Sequence, residues 1–250
     1  MEKQFLAICS PLNIDQQRKV ATSVALLSNW KEQQNHSATS LLIEALNQFA
    51  VRYASSQFSV EEEHSFLPVM IERFSCNGVS YSDKIFIEGE LEPMYNTFRV
   101  NCRAYNEDFK EKFVAQASII VQAVELPIIP FPDVITEKSA DFLWEVWPIN
   151  QECYGFHLNL GHYLFQEHFP GRPVCPGSLL IDLALSLCKW NRSNIIKLHK
   201  VKFLKSVTPD RNYIISLNIN SEETLGRFSI NSENGERHTN GSFSFSQVLL

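Results

Sequence analysis

The sequence predicts an α+β protein made of two similar units, each an antiparallel sheet wrapped around one long buried helix. Three observations favour this fold class. A proline-rich stretch divides the 250-residue chain almost in half, a short apolar segment recurs in the two halves, and strand-like runs follow each copy of that segment. The order of elements is therefore the same in both halves, which is typical of a tandem repeat.

The predicted boundary is the stretch ELPIIPFPDVITEK at residues 125–138. It holds three prolines, and proline is excluded from helix interiors and from central strands. We therefore predict an N-terminal unit over residues 1–126, a linker over 127–138 and a C-terminal unit over 139–250.

The recurring segment reads SLLIE at residues 40–44 and SLLID at residues 178–182. Each copy opens a stretch that is apolar around most of a helical circumference, as in a buried helix. FSCNGV, DKIFIEGEL, FRVNCRAY and FVAQASIIVQAV follow the first copy, and KVKFLKSV, NYIISLNIN and RFSINSENGERHTNGSFSF follow the second. Within the last run, Asn234-Gly235 is typical of a hairpin turn. A sheet that wraps one long helix is the hotdog architecture, so the prediction is a double hotdog.

Composition narrows the class of partners. Hydrophobic residues make up 44% of the chain and charged residues 20%, which is typical of a globular protein with a real core. The net charge of −6 argues against nucleic acid as the main partner. No apolar run is long enough for a membrane span, and MEKQFLAICSPLN is not typical of a signal peptide. Six scattered cysteines without a CxxC pair predict free thiols in the cytoplasm, with no metal site and no cofactor.

The most unusual stretch is HFPGRPVCPGSLLID, which runs from His168 to Asp182. Its prolines and glycines fix a tight turn directly before a helix. The stretch resembles the active-site segment of the β-hydroxyacyl-acyl-carrier-protein dehydratases of bacterial fatty acid synthesis, which carry H-F-P-G-x-P-x-x-P-G and an acidic residue fourteen positions after the histidine. The resemblance covers the second half of the chain, and the first half joins it through SLLIE and the strand pattern. Glu167 departs from the family, which usually has glycine before the histidine.

Dehydration of a 3-hydroxyacyl thioester needs a base at C2, an acid at the C3 hydroxyl and a donor to the thioester oxygen. Neutral histidine suits the first role, a carboxylic acid in an apolar site the second, and a backbone N–H at a helix N-terminus the third. The resemblance implies that His168 is the base, that the Val174 carbonyl orients it and that the Gly177 N–H holds the thioester oxygen.

The acid is expected to come from the other unit. In this family each site lies between two hotdogs, with the histidine from one and the carboxylate from the other. Aligning SLLIE with SLLID makes Glu44 and Asp182 the candidate acids. Fourteen positions before Glu44 stands Trp30, and the first half lacks the histidine loop. We therefore predict one composite site, His168 with Glu44, and a vestigial or structural role for Asp182.

Six basic residues form the one basic cluster of an acidic chain. They are candidates for docking an acyl carrier protein, with an ordinary solvated face as the alternative. The six are Lys189, Arg192, Lys197, Lys200, Lys202 and Lys205.

The resemblance implies a dehydratase that forms a 2-enoyl thioester on a carrier-bound, phosphopantetheine-linked chain, in fatty acid, polyketide or related lipid synthesis. Two alternatives stay open: a hotdog thioesterase or hydratase, and a non-catalytic acyl-binding or scaffold subunit of a synthase. We expect an intramolecular pseudo-dimer, and further pairing into a homodimer stays open. Acyl chain length, substituents and a following isomerase step are not fixed by the sequence.

Overall fold

The structure, a computed structural model, describes residues 9–29, 35–59, 64–80, 84–106, 113–125, 142–168, 173–188, 195–220, 222 and 224–246. Within these ranges the chain forms twelve strands and three α-helices. The strands are β1 (Asn13–Asp15), β2 (Val20–Leu26), β3 (His64–Cys76), β4 (Lys84–Pro93), β5 (Phe98–Asn106), β6 (Phe113–Glu125), β7 (Trp144–Pro148), β8 (Cys153–Leu158), β9 (Ile195–Phe203), β10 (Asn212–Ile219), β11 (Leu225–Ser232) and β12 (Arg237–Ser246). The helices are α1 (Ala38–Gln57), α2 (Leu164–Glu167) and α3 (Gly177–Leu187).

All twelve described strands belong to one antiparallel sheet with the order β1-β2-β4-β5-β6-β3-β9-β12-β11-β10-β8-β7. From one edge to the centre the first half runs β1-β2-β4-β5-β6-β3. From the opposite edge the second half runs β7-β8-β10-β11-β12-β9. Equivalent strands therefore occupy equivalent places, and the halves meet where β3 pairs antiparallel with β9.

The two long helices form the centre of the molecule. Almost every residue of α1 from Ala38 to Ala54 is buried, as is every residue of α3 from Ser178 to Leu185. This confirms the prediction of buried rather than surface helices. Helix α1 packs on the sheet so closely that a Cβ on Gly89 of β4 would lie 2.6 Å from the Phe49 ring.

Strand β3 is longer than its predicted core FSCNGV because the apolar run before it also joins the sheet. Pro68 lies inside this strand, where a proline removes one ladder donor. The register between β3 and β6 shifts between Pro68 and Met70, and the pairing of β3 with β9 covers only Met70 to Cys76. Pro68 therefore stands at a bulge and beyond the β9 ladder, where its missing N–H breaks no pairing with that strand.

The predicted hairpin turn at Asn234-Gly235 is confirmed. It joins β11 to β12, and Gly235 has a φ of +84°, a conformation that glycine adopts without a steric penalty.

All six cysteines are free thiols. None of the helices in the described part of the chain is both long and apolar enough to cross a lipid bilayer. Some of the predicted features lie outside the described residues: the linker over 127–138, Trp30, Lys189 and Arg192.

Candidate active site

Helices α1 and α3 pack against each other so that the carboxylate of each contacts the first turns of the other. The Ser40 hydroxyl donates to Asp182 Oδ1 over 2.6 Å, and the Ser178 hydroxyl donates to Glu44 Oε2 over 2.6 Å. The serine and the acid of the repeated SLLI segment thus make the same contact twice, in opposite directions. A carboxylate is stabilised near a helix N-terminus because the backbone N–H groups there carry partial positive charge.

Glu44 lies deep in this helix interface, with 6% of its surface exposed. Its second oxygen, Oε1, accepts a hydrogen bond from Gln48 Nε2 over 3.1 Å, one helical turn further along α1. Ser178 and Gln48 together fix the orientation of the carboxyl group. Burying a carboxylate without such partners would be costly.

His168 directly follows the short helix α2, and its backbone N–H donates to the Leu164 carbonyl over 2.8 Å. Its side-chain Nδ1 lies 2.9 Å from the Val174 carbonyl oxygen. Because a carbonyl only accepts, Nδ1 carries the ring proton and Nε2 keeps the lone pair. Burial lowers the pKa of His168, and the nearby Glu44 charge and the Val174 hydrogen bond oppose this only in part. The ring is therefore a neutral base at neutral pH.

Glu44 lies near enough to both His168 and Cys175 to act on them electrostatically; Glu44 and Cys175 are buried, and His168 is partly buried. The charge of Glu44 acts on the pKa of both of the other side chains, although Glu44 comes from the opposite half of the chain. Burial raises the pKa of the Cys175 thiol, and the Glu44 charge raises it further. Cys175 therefore stays protonated and is not a nucleophile.

Gly177 is the first residue of α3, so its N–H has no acceptor within the helix. The Phe203 ring covers the glycine so closely that a Cβ there would lie 2.5 Å from two ring carbons. The Cys175 N–H donates to the Val207 carbonyl over 2.9 Å and fixes the loop before the helix. The close packing explains why only glycine fits at this position.

Asp182 is held by a different set of partners, and only 8% of its surface is exposed. Its Oδ1 accepts from the Ser37 N–H, the Ser37 hydroxyl and the Ser40 hydroxyl, while Oδ2 lies 3.0 Å from Nδ1 of the buried His36. Burial raises the pKa of Asp182, but the hydrogen bonds and the His36 charge outweigh burial and hold the pKa below its ordinary value. Asp182 is therefore ionised at neutral pH and has no proton to give.

The repeat alignment predicts Trp30 opposite Asp182, and Trp30 lies outside the described residues. The structure places His36 against Asp182. The sequence reasoning also missed the serines, although Ser40 and Ser178 are the same letter of the repeated segment. Their recurrence beside an acid in an apolar helix was the available signal, because a buried carboxylate needs donors. His36 carried no such signal, since it does not align with the histidine of the other half.

The described lysines of the basic cluster are exposed. On β9, Ile196, Leu198 and Val201 face the core while Lys197 and Lys202 alternate with them on the outer face of the sheet. That face points away from α1 and α3, so the structure does not bring these lysines to His168 and Glu44. Lys205 is paired with Glu236, and Lys200 has a φ of +49° at an irregular point of the strand.

Comparison with known proteins supports a family for the second half. Residues 150–242 match the family model of the ApeI dehydratases, described as ApeI-like. This segment is similar to the ApeI-like dehydratases. The match contains the histidine loop and α3, so it covers His168, Val174, Gly177 and Asp182, while Glu44 lies outside the ApeI-like segment.

Solved structures resemble the whole chain. The acyl-ACP thioesterase from Bacteroides thetaiotaomicron aligns with a TM-score of 0.58 at 12% identity, over 93% of this chain and 100% of that protein. The dehydratase domain of the polyketide PpsC from Mycobacterium tuberculosis aligns with a TM-score of 0.56 at 11% identity, over 96% and 98%. The 12:0-ACP thioesterase from Umbellularia californica aligns with a TM-score of 0.55 at 8% identity, over 91% and 97%. Together with the large antiparallel sheet, these likenesses show that the chain has a hotdog fold.

Proposed function

We propose that this chain is a 3-hydroxyacyl-thioester dehydratase with one composite active site between two hotdog units. The observation that carries the proposal is that Glu44, held by Ser178 at the α1–α3 interface, lies near enough to His168 of the other half to act on it electrostatically. The repeated strand order supports a division into two units. The ApeI-like segment supports dehydration as the reaction class.

In the proposed mechanism, His168 Nε2 removes a proton from C2 of the bound 3-hydroxyacyl thioester. Negative charge develops on the thioester oxygen, which the Gly177 N–H and the N-terminus of α3 stabilise. The carboxyl group of Glu44 protonates the hydroxyl that leaves C3 as water. The products are a 2-enoyl thioester and water. The proton that His168 took from C2 then passes to Glu44, directly or through solvent, so that both groups regain their starting protonation states before the next cycle.

Of the two helix carboxylates, the donor sets favour Glu44 as the acid. Asp182 accepts four hydrogen bonds, three of them at Oδ1, and its lowered pKa keeps it ionised. Among the residues that the structure describes, Glu44 has one side-chain donor at each oxygen. A group that must exchange a proton with substrate needs an oxygen that substrate can reach, and Glu44 has fewer competing donors.

The natural substrate is proposed to be an acyl chain on a carrier protein, in fatty acid, polyketide or related lipid synthesis in the cytoplasm. Carrier docking through the basic cluster stays a prediction. Because Lys197 and Lys202 lie on the outer face of the sheet, a carrier bound there would have to send its phosphopantetheine arm around the sheet to reach the α1–α3 interface.

The deciding experiment mixes the purified protein with a short 3-hydroxyacyl thioester and follows two products. Growth of the enoyl-thioester absorbance indicates dehydration, whereas release of free thiol indicates a thioesterase. We expect enoyl product from the wild type and none from His168→Ala. Free thiol without enoyl product, or silence with every thioester tried, would reject the proposal and favour the hydrolytic or the non-catalytic alternative.

A further inference from the structure

Helix α1 carries a buried amide side chain, Asn47, that the proposed mechanism does not use. Asn47 has 3% of its surface exposed, and neither its Nδ2 nor its Oδ1 has a hydrogen-bond partner. Buried amide groups in native proteins are almost always partnered, and leaving one unpaired is destabilising. An amide that stays open in the absence of ligand therefore points to a bound group that completes it.

Asn47 lies on the face of α1 that meets α3, because positions three and four apart share one side of a helix. Ser40 and Glu44, which precede it on this face, contact Asp182 and Ser178. In these contacts the residue number rises along α1 as it falls along α3, so the helices run antiparallel. Three residues after Glu44 along α1 comes Asn47, and three residues before Ser178 along the chain comes Cys175. The antiparallel register therefore sets Asn47 and Cys175 at a similar level.

Continued past the start of α3, this register leads from Asn47 toward the loop whose Val174 carbonyl lies 2.9 Å from His168 Nδ1. We infer that Asn47 lies on the His168 side of Glu44, near the reacting end of the bound substrate. The equivalent position of α3, three residues after Asp182, is the apolar Leu185. Of the two equivalent positions, Asn47 and Leu185, only Asn47 carries an unpartnered amide, and we place it on the His168 side of the helix interface.

We propose that Asn47 is a specificity-determining residue that binds a hydroxyl or amide group of the substrate next to the reacting carbons. This inference rests on the proposed function. Nδ2 can only donate and Oδ1 can only accept, so the complementary group must do both. The thioester carbonyl only accepts and would leave Oδ1 open. Two parts of a carrier-bound thioester fit: a second hydroxyl on the acyl chain, and the amide of the thiol arm.

The test compares three thioesters by calorimetric binding to a His168→Ala background, so that turnover does not interfere. The reference is the 3-hydroxyhexanoyl thioester of N-acetylcysteamine, which has the arm amide. The second replaces the thiol with pentanethiol, which removes the amide at equal length, and the third adds a hydroxyl at C5 of the reference. We expect Kd to favour either the amide or the second hydroxyl by about ten- to a hundredfold.

Asn47→Leu should reduce that preference to within about threefold, since it removes both polar atoms at similar volume. The Tm of Asn47→Leu should equal or exceed that of the parent protein, because an apolar side chain avoids the free-energy cost of burying an unpaired amide. Asn47→Ala serves as the second variant if the leucine does not pack. Thr239→Val is the matched control: Thr239 also has a buried, unpartnered side-chain oxygen, but on β12. The control should keep the full preference.

The arm amide is the bound group if only the N-acetylcysteamine preference disappears in Asn47→Leu, and the acyl chain is the source if only the C5 hydroxyl preference disappears. The inference would be overturned if the His168→Ala protein, with Asn47 intact, bound all three thioesters equally well. It would also be overturned if a binding preference persisted in both Asn47→Leu and Asn47→Ala. Turnover of the reference thioester by wild-type His168 protein is measured in parallel. Turnover without Asn47-dependent selectivity rejects the inference alone, and selectivity without turnover rejects the dehydratase assignment alone.

Discussion

Asp182→Asn removes one negative charge from the buried cluster of His36, Ser37 and Ser40 while it keeps the shape of the side chain. The retained Oδ1 can still accept from the Ser37 N–H, the Ser37 hydroxyl and the Ser40 hydroxyl, now without a charge. In place of Oδ2 the amide presents N–H groups to Nδ1 of His36, which carries a proton when it faces a carboxylate. The substitution therefore weakens three hydrogen bonds and sets one donor against another.

The size of the effect follows from these partners. A hydrogen bond to a charged acceptor contributes roughly 1 kcal/mol more than a neutral one, which amounts to about 3 kcal/mol for the three donors at Oδ1. The opposed donors at His36 add roughly 1 kcal/mol, and relief of the cost of burying a charge returns a similar amount. We expect a net loss of about 2–4 kcal/mol in the free energy of unfolding, or roughly 5–15 °C in Tm for a chain of this size.

Thermal unfolding and the initial rate of enoyl-thioester formation measure the two consequences separately. Asp182→Asn should lower the Tm by this amount and keep most of the activity at a temperature where it is folded. Glu44→Gln, the matched substitution across the interface, should reduce kcat by about 10²–10⁴-fold, since it removes a general acid. An inactive Asp182→Asn with an active Glu44→Gln would refute the composite site. An unchanged Tm in Asp182→Asn would refute the structural role of the His36 cluster.

The pH dependence gives an independent check on the same carboxylate. The folded pKa of Asp182 lies below its unfolded value of about 3.9, so its stabilising contribution is complete above that pH and is lost as pH falls through the folded pKa. The gap in unfolding free energy between wild type and Asp182→Asn should therefore close as pH falls below about pH 4. A gap that widens on acidification would contradict the assignment.

Three further predictions concern the rest of the site. Because burial lowers the pKa of His168, the acid limb of the kcat/KM profile should fall below the ordinary histidine value of about 6.5, and a limb above pH 7 would argue against a neutral His168 base. Gly177→Ala should cost about 1–3 kcal/mol by overpacking against Phe203, and adding Phe203→Leu should restore the Tm; a Tm that is unchanged by the first substitution would show that the ring yields freely. Charge reversal of both Lys197 and Lys202 should raise KM for a carrier-bound substrate but not for a short thioester analogue, and an equal effect on both substrates would count against carrier docking.

Much of the fold could be predicted from the sequence because its signals are local. The apolar circumference of the SLLI helices, the alternation of the strands and Asn234-Gly235 each report on a few neighbouring residues. The predicted run FSCNGV covers only the end of β3; the rest of the strand contains Pro68, which a bulge in the ladder to β6 accommodates. The partner of Asp182 was missed because His36 reaches it through the packing of α1 against α3, which no sequence spacing encodes.

The two helix N-termini explain how one repeated interface can support two different carboxylates. Helix α1 begins with the N-cap Ser37, whose hydroxyl and N–H both turn toward Asp182 and fix it as an anion. Helix α3 instead begins after Pro176, which has no N–H and no side-chain hydroxyl, so that Ser178 is the side-chain donor it offers to Glu44. Among the described residues Glu44 thus has fewer fixed donors than Asp182, and the Gly177 N–H has no acceptor within its own helix. We therefore propose that the cap of the facing helix, rather than the acid itself, distinguishes a structural Asp182 from a catalytic Glu44.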